Sequence, residues 1–240
     1  MSPYPRAPYV APPAAPQLQL LPGGRCFFAL PPNLTAVDCA WLELVARDLL
    51  ERHERVLFLL ATDLGSYDRG ADPDATRPLL DPAATTERLD TETLRRWRDI
   101  EAIRLTLPPA VRHRVQIATW SHFIDPSFVS VWRHLLTAFG VGTDFRRDVL
   151  LLGRQHRRDL RAARGPLAPA PSARAACLRA IETLAMRLRI GELAGYHHEY
   201  GYGRDSVLAE RLYAGAYAAD GLTVESLMGD VPQRHYRRLD

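Results

Sequence analysis

Near its start this 240-residue chain has a strand, a helix and a second strand in succession. The apolar run 26–30 leads through Pro31-Pro32-Asn33 into an amphipathic helix, and a second apolar run occupies 56–61. This order predicts a parallel βαβ unit, because two parallel strands need a long crossover connection between them. Ligands of such sheets bind beyond the carboxyl ends of the strands. We therefore expect the segments that follow the two strands to border a common binding site.

A third apolar run, 114–119, predicts another strand that ends at the same edge of the sheet. Polar and aromatic side chains follow all three strands where they end. We interpret five of these residues as candidates for substrate binding: Asn33, Asp63, Ser66, Tyr67 and Trp120.

The expected fold class is α/β, with a Rossmann-like, mostly parallel sheet of three to five strands flanked by helices. The length suits one such domain, which we place at 23–240. Residues 1–22, rich in Pro and Ala, predict a flexible tail rather than a signal peptide. No apolar run is long enough to span a membrane, so we expect no membrane partner. Three cysteines without metal or disulfide spacing indicate a cytoplasmic protein.

The sequence contains no fingerprint for a nucleotide or a cofactor. No G-x-G-x-x-G follows a strand, and no Gly-rich loop ends in Lys-Ser or Lys-Thr. The first strand runs into Pro31 and Pro32, which offer no N–H donors to a phosphate. We therefore expect no cofactor, and the pattern argues against dehydrogenases and kinases.

Carboxylate, imidazole and phenol side chains are concentrated between Glu192 and Tyr202. Such groups can move protons between an amine and an ester. The catalytic candidates are Glu192, Tyr196, His198 and Glu199. We expect no metal site, because adjacent residues such as His197 and His198 rarely point at one ion. A structural loop without chemistry is the alternative interpretation of this segment.

Every basic side chain other than histidine is arginine, since the chain contains no lysine. A GC-rich genome explains such usage, but arginine also binds phosphate through a planar fork of donors. A predicted helix at 87–107 and a second at 144–164 are both rich in arginine. Each helix is either a solvated face paired with its own acids or a surface that follows a nucleic-acid backbone. The candidates on the first helix are Arg88, Arg95, Arg96, Arg98 and Arg104.

The order of elements from residue 25 to residue 202 resembles that of the tRNA-dependent cyclodipeptide synthases. Shared features are an Asn-bearing turn after the first strand, a basic helix after the second, and Thr119-Trp120-Ser121 after the third. The resemblance implies a domain like that of class I aminoacyl-tRNA synthetases, which takes aminoacyl-tRNA esters and makes amide bonds without ATP. It implies that the first arginine-rich helix contacts tRNA, and that Glu192 matches the catalytic glutamate of the family.

The chain departs from the family pattern in several places. The family has a nucleophilic serine after the first strand, where this chain has Pro31 and Pro32, and Thr35 reads as a helix cap. A family tyrosine one turn before the glutamate falls at Leu188, and a later Tyr-His pair corresponds to Tyr196-His197 at a shorter spacing. Without an acyl-enzyme, a bound amine can still attack the aminoacyl ester directly.

The expected function is therefore an aminoacyltransferase that moves an aminoacyl group from aminoacyl-tRNA to the amine of a small-molecule acceptor. Such a reaction belongs to specialised-metabolite or antibiotic biosynthesis. One alternative is a cyclodipeptide synthase that uses a displaced nucleophile such as Ser66. Another is a catalytically inactive homologue that binds RNA.

Overall fold

The sheet confirms the expected Rossmann-like α/β class. A computed structural model of the chain describes residues 24–30, 36–60, 91–165, 171–192, 196–202, 207–229 and 235–239. Within these residues five strands, all parallel, form one sheet in the order β3-β2-β1-β4-β5. They are β1 (Arg25–Leu30), β2 (Arg55–Leu60), β3 (Val115–Thr119), β4 (Tyr196–Tyr202) and β5 (His235–Leu239). The predicted tail, 1–22, lies outside the described residues.

Helices connect the strands and cover both faces of the sheet. They are α1 (Ala36–Arg52), α2 (Thr91–Thr106), α3 (Pro109–Arg112), α4 (Pro126–Val141), α5 (Asp144–Arg164), α6 (Ala173–Glu192), α7 (Val207–Tyr213) and α8 (Val224–Met228). Short 3-10 turns occupy Trp120–Phe123 and Ala218–Asp220. None of these described helices combines the length and the apolarity that crossing a lipid bilayer requires.

Local sequence signals explain where several helices begin. Asp125 caps α4 by accepting a 2.9 Å hydrogen bond from the Phe128 N–H, and Pro126 occupies the first helical position, as the sequence predicts. Ser172 caps α6 through the Ala175 N–H at 3.0 Å. The predicted cap Thr35 lies outside the described residues. Helix α4 includes Gly140 and ends at Val141.

Alternate residues of each strand enter two separate cores, as the pleat of a strand requires. Cys26, Phe28 and Leu30 of β1 pack against α1 and α2. Phe27 and Ala29 face the opposite layer, which contains α4, α5 and α6. The two arginine-rich helices, α2 and α5, therefore cover opposite faces of the sheet.

Helix α6 is buried on nearly every side, because it lies between the sheet and an outer layer of helices. Its neighbour α5 approaches closely at Gly153, where an added Cβ would lie 3.1 Å from the Sγ of Cys177. The missing side chain at Gly153 thus permits the contact between the two helices.

The C-terminal part of the chain fixes the start of α5. Asp220 accepts hydrogen bonds from the backbone N–H groups of Phe145 and Thr143 at 2.7 and 2.8 Å. These donors, the Phe145 N–H first among them, hold the pKa of Asp220 below its usual value. A residue far along the chain therefore satisfies donors that Thr143 at the N-cap position does not.

We expect Gly153→Leu to lower the free energy of unfolding by about 1–3 kcal/mol, because an overpacked helix contact forces backbone shifts. Gly140→Leu is the matched control, since a Cβ there meets nothing within 4 Å. That variant should leave stability unchanged or raise it by up to ~1 kcal/mol through helix propensity. Urea unfolding measures both, and equal stabilities for the two variants would contradict the close approach of α5 to α6.

Candidate functional site

The carboxyl ends of the strands align at one edge of the sheet, which we call the carboxyl edge. Leu30 of β1 lies beside Leu60 of β2, which lies beside Thr119 of β3. Tyr202 ends β4 at the same edge, next to Leu239. The chain adds β2 and β3 on one side of β1 and then β4 and β5 on the other, so the strand order reverses beside β1. Such a reversal point is where open α/β sheets bind ligands.

Four of the five substrate-binding candidates follow β1 or β2 in the sequence. Asn33, Asp63, Ser66 and Tyr67 lie outside the described residues, so their role in substrate binding stays a prediction. Trp120 is described and directly follows β3.

Trp120 is fully buried, and its indole is engaged by a carboxylate that the sequence analysis did not single out. The Nε1–H of Trp120 donates a 3.0 Å hydrogen bond to Oε1 of Glu182 on α6. Trp120 is 0 % exposed and Glu182 is 2 % exposed. Trp120 therefore orients a buried carboxylate beside the carboxyl edge, and its role in substrate binding stays a prediction.

A second polar group is fixed in the same 3-10 turn. Nδ1 of His122 accepts a hydrogen bond from the backbone N–H of Thr119 at 3.2 Å and lies 2.7 Å from the Thr119 hydroxyl. Because a backbone N–H can only donate, Nδ1 is the acceptor and the proton of the neutral imidazole is on Nε2. His122 is an exposed residue, and it lies beside the carboxyl edge.

Glu192 lies near the opposite edge of the sheet, which we call the amino edge and define by Arg25, Arg55, Val115 and Tyr196. It ends α6 shortly before β4 begins, and Oε2 of Glu192 pairs with Arg189 at 3.1 Å. The same Arg189 binds Asp125 through three contacts of 2.6–2.9 Å. Hydrogen bonds from Arg189 hold the pKa of Asp125 below its usual value. After Glu192 the next described residue is Tyr196, which begins β4, so the catalytic role of Glu192 stays a prediction.

The other three catalytic candidates are distributed along β4 rather than gathered. Tyr196 begins the strand beside Arg25. Glu199 faces α6, where it is 4 % exposed and lies 3.3 Å from Arg187, itself 2 % exposed. His198 is on the other face, with its ring centroid 4.8 Å from that of His53. Consecutive strand residues point to opposite faces, so His198 and Glu199 do not share one site.

Tyr200 explains why this polar strand is stable in the middle of a sheet. Its hydroxyl lies 2.8 Å from Nε2 of the buried His53, which follows α1. The ring centroids of His53 and Tyr200 are 5.6 Å apart. The Tyr200 hydroxyl thus has a polar partner on one face of β4, while Glu199 has an ion pair with Arg187 on the other face.

The predicted tRNA-binding arginines of α2 have different surroundings. Arg88 lies outside the described residues, and Arg95 and Arg96 are described by their backbone positions in α2 alone. Arg98 is exposed. Arg104 binds Glu101 through Nε at 2.7 Å and through Nη2, and these bonds lower the pKa of Glu101. Arg104 therefore has part of its charge neutralised, whereas Arg98 presents its guanidinium to solvent.

Comparison with solved structures identifies the fold. A cyclodipeptide synthase from Fluoribacter dumoffii matches with a TM-score of 0.60 at 14% identity, over 90% of this chain and 89% of that chain. A cyclodipeptide synthase from Bacillus thermoamylovorans matches with a TM-score of 0.59 at 16% identity, over 85% of each chain. This chain has the fold of the cyclodipeptide synthases. The resemblance in element order is thereby confirmed.

A Mycobacterium tuberculosis protein, described as demonstrating that cyclodipeptide synthetases are related to type I tRNA synthetases, matches with a TM-score of 0.54. It is 20% identical, and the match covers 80% of this chain and 78% of that chain. No protein-family model and no curated protein matches the sequence. Within the described residues no cluster of His, Cys, Asp and Glu has the arrangement of a metal site.

Sequence reasoning missed Glu182 because it assigned α6 an inward face of apolar residues. A signal was present in the composition of the helix. Between Ala175 and Met186 the polar side chains are Arg179, Glu182 and Thr183, so this part of the helix has no continuous polar face. A helix of this kind is buried on all sides, and its few charges are then buried with it. In the structure Arg179, Glu182 and Thr183 are all buried.

We expect Trp120→Phe to lower the free energy of unfolding by about 1–3 kcal/mol more than loss of ring volume alone, because the buried Glu182 loses its indole donor. Trp132→Phe is the matched control, since the buried Nε1 of Trp132 has no hydrogen-bond acceptor among the described residues. Urea unfolding of both variants measures the difference. Equal losses would show that the Trp120–Glu182 hydrogen bond contributes nothing measurable.

Proposed function

We propose that this chain is an aminoacyltransferase that moves an aminoacyl group from aminoacyl-tRNA to the amine of a small molecule. The observation that supports it best is a buried carboxylate, Glu182, held at the carboxyl edge of a sheet with the cyclodipeptide synthase fold. The resemblance implies an aminoacyl-tRNA ester as the activated substrate, which agrees with a sequence that lacks a phosphate-binding loop. The setting would be a cytoplasmic pathway of specialised-metabolite or antibiotic biosynthesis.

The chemistry needs only positioning and proton transfer. The acceptor amine attacks the ester carbonyl, a C–N bond forms, and the C–O bond to the tRNA ribose breaks. The amine loses a proton, and the departing ribose oxygen gains one. No oxidant and no nucleotide enters this balance, because the ester already holds the free energy of the amide bond. The protein therefore has to orient the two substrates and provide general acid–base catalysis.

Two groups at the carboxyl edge suit these roles. Glu182 can anchor the acceptor ammonium group or take its proton, since the Trp120 indole fixes the orientation of the carboxylate. His122 presents an Nε2–H that can donate to the developing charge on the ester or on the ribose oxygen. Thr119 holds that imidazole in the required tautomer.

The residues proposed from the sequence remain as competing assignments. Glu192, Tyr196, His198 and Glu199 are proton-handling groups, but they lie at the amino edge or within the sheet. Their distance from the carboxyl edge makes them weaker candidates than Glu182 for contact with the ester.

Binding of the tRNA is proposed to involve α2, as the resemblance implies. Arg98 is exposed, and the charge of Arg104 is partly neutralised by its ion pair with Glu101. Arg88, Arg95 and Arg96 complete the proposed phosphate-binding set on the same segment. Loss of these charges should weaken tRNA binding and reduce its dependence on salt.

Cyclodipeptide synthesis from two aminoacyl-tRNAs is a second candidate, and the shared fold supports it equally well. The two candidates differ in whether the protein forms a covalent aminoacyl intermediate. Pro31 and Pro32 stand where the family nucleophile is expected and cannot form one. Ser66 is the substitute nucleophile that this second candidate needs. A third possibility, a catalytically inactive homologue that binds RNA, predicts tRNA binding without any product.

We expect no aminoacyl label on the protein after incubation with radiolabelled aminoacyl-tRNA and acid quenching, because direct transfer has no covalent intermediate. Mass spectrometry of small molecules from expressing cells should find an aminoacylated amine. A stable acyl-protein that disappears in Ser66→Ala, together with a cyclic dipeptide, would favour the second candidate. Absence of both product types would favour the inactive RNA-binding homologue.

We expect Glu182→Gln to reduce transfer by roughly 10²–10⁴-fold, the range for a positioned acid–base group. Glutamine keeps an oxygen that can accept from Trp120, so the fold should be retained. Glu192→Gln is the matched variant at the amino edge and should keep near-normal turnover. A folded Glu182→Gln protein with normal turnover, beside an inactive Glu192→Gln protein, would return the catalytic assignment to Glu192.

A further inference from the structure

The second half of α5 presents a row of arginines that the proposed function does not yet use. Arg154, Arg158 and Arg161 are spaced four and three residues apart, so they lie along one side of the helix. All three are exposed. The opposite side of α5 contains Val149 and Leu160, which are buried. We call the three residues the α5 arginine row.

The charges of this row are not neutralised within the described part of the chain, where none of the three residues forms an ion pair. The first half of α5 is different. Arg147 there lies 2.8 Å from Asp144 and 3.3 Å from Asp148. The row is therefore a concentrated positive surface rather than a self-paired helix face, which was the alternative open from the sequence.

The contact of α5 with α6 gives the position of the row relative to the sheet. Helix α6 must end at the amino edge, because it leads from Glu192 into β4. Cys177 is fifteen residues before Glu192, or about 22 Å along the helix axis, and seven-residue β4 spans about 20 Å. Cys177 is thus level with the carboxyl edge, and so is Gly153, which packs against it.

Arg154 follows Gly153 directly, so the row begins at the level of the carboxyl edge. The chain then enters α6 at Ala173, which lies on that same side of the sheet. Helix α2 covers the other face through Ile100 and Ile103. The two basic helices are therefore not adjacent. They flank the carboxyl edge from opposite faces of the sheet.

We propose that the α5 arginine row is a second tRNA-binding surface, which contacts backbone phosphates on the side of the site opposite α2. This inference rests on the proposed function and deepens it. Behind the aminoacylated 3′ end that enters the carboxyl edge, a folded RNA has two paired strands, and the backbone of each strand is negatively charged. Exposed arginines on both faces complement this charge and fix how the RNA is oriented.

The test is the triple variant Arg154→Gln, Arg158→Gln and Arg161→Gln, compared with Arg55→Gln, Arg133→Gln and Arg146→Gln. The control residues are also exposed, and the change in net charge is the same. Binding of deacylated bulk tRNA is measured by filter retention between 50 and 200 mM salt. The row variant should bind roughly tenfold or more weakly, and its slope of log K against log salt should fall by up to about three units. The control variant should keep most of the affinity and slope.

The outcomes separate this inference from the proposed function. If the wild-type protein binds no tRNA, both are overturned. If the wild type binds tRNA and the two triple variants behave alike, the second surface is overturned while aminoacyl transfer stands. A row variant that loses heparin binding but keeps its tRNA affinity assigns the row to another polyanion and also overturns the inference. Circular dichroism of both variants confirms that the comparison is between folded proteins.

Discussion

Helix α6 buries charged side chains in the interior of the protein, and side chains of other elements contact these charges. Glu182 meets the indole of Trp120 after β3, and Arg187 meets Glu199 on β4. A buried charge without a partner is expensive, and removal of one member of a buried pair typically costs about 3–5 kcal/mol. The two contacts therefore restrict the rotation of α6 about its own axis and its distance from the sheet. They connect the helix to strands on both sides of the point where the strand order reverses.

Most of the first three strands and their helices could be predicted, because their signals are local. Apolar runs marked β1, β2 and β3 to within a residue, and Asp125-Pro126 and Ser172 marked two helix starts. Strand β4 was not recognised as a strand. Its sequence is Tyr-His-His-Glu-Tyr-Gly-Tyr, and the hydroxyl of its buried Tyr200 is paired with the distant His53. No local pattern reveals such partners, because the sheet itself brings them together.

Because β4 was not recognised as a strand, the sequence analysis chose its catalytic candidates without knowing on which side of the sheet they lie. The carboxyl edge was correctly located from the βαβ unit, since parallel strands end on one side. The acidic candidates were taken from the end of α6 and the start of β4. Once β4 is known to be parallel, a crossover helix that precedes it must end at the amino edge, and Glu192 goes there with it. A carboxylate of α6 that reaches the carboxyl edge must then come from an earlier turn of that helix, which is where Glu182 lies.

The position of α2 and α5 on opposite faces of the sheet also affects how the proposed tRNA substrate could bind. The buried carboxylate of Glu182 is held by Trp120 and the exposed imidazole of His122 by Thr119, both at the end of β3, and the proposed function requires only an ester at the end of an RNA to reach them. Specificity for that end cannot come from phosphates, which are alike along the RNA. Basic surfaces on opposite faces would instead fix the orientation of the RNA, because phosphate contacts on one side alone allow the RNA to rotate about them. If the proposed function holds, two separated sets of phosphate contacts would keep the ester at a fixed distance from Glu182, and such restriction of motion is a large share of what catalysis of acyl transfer requires.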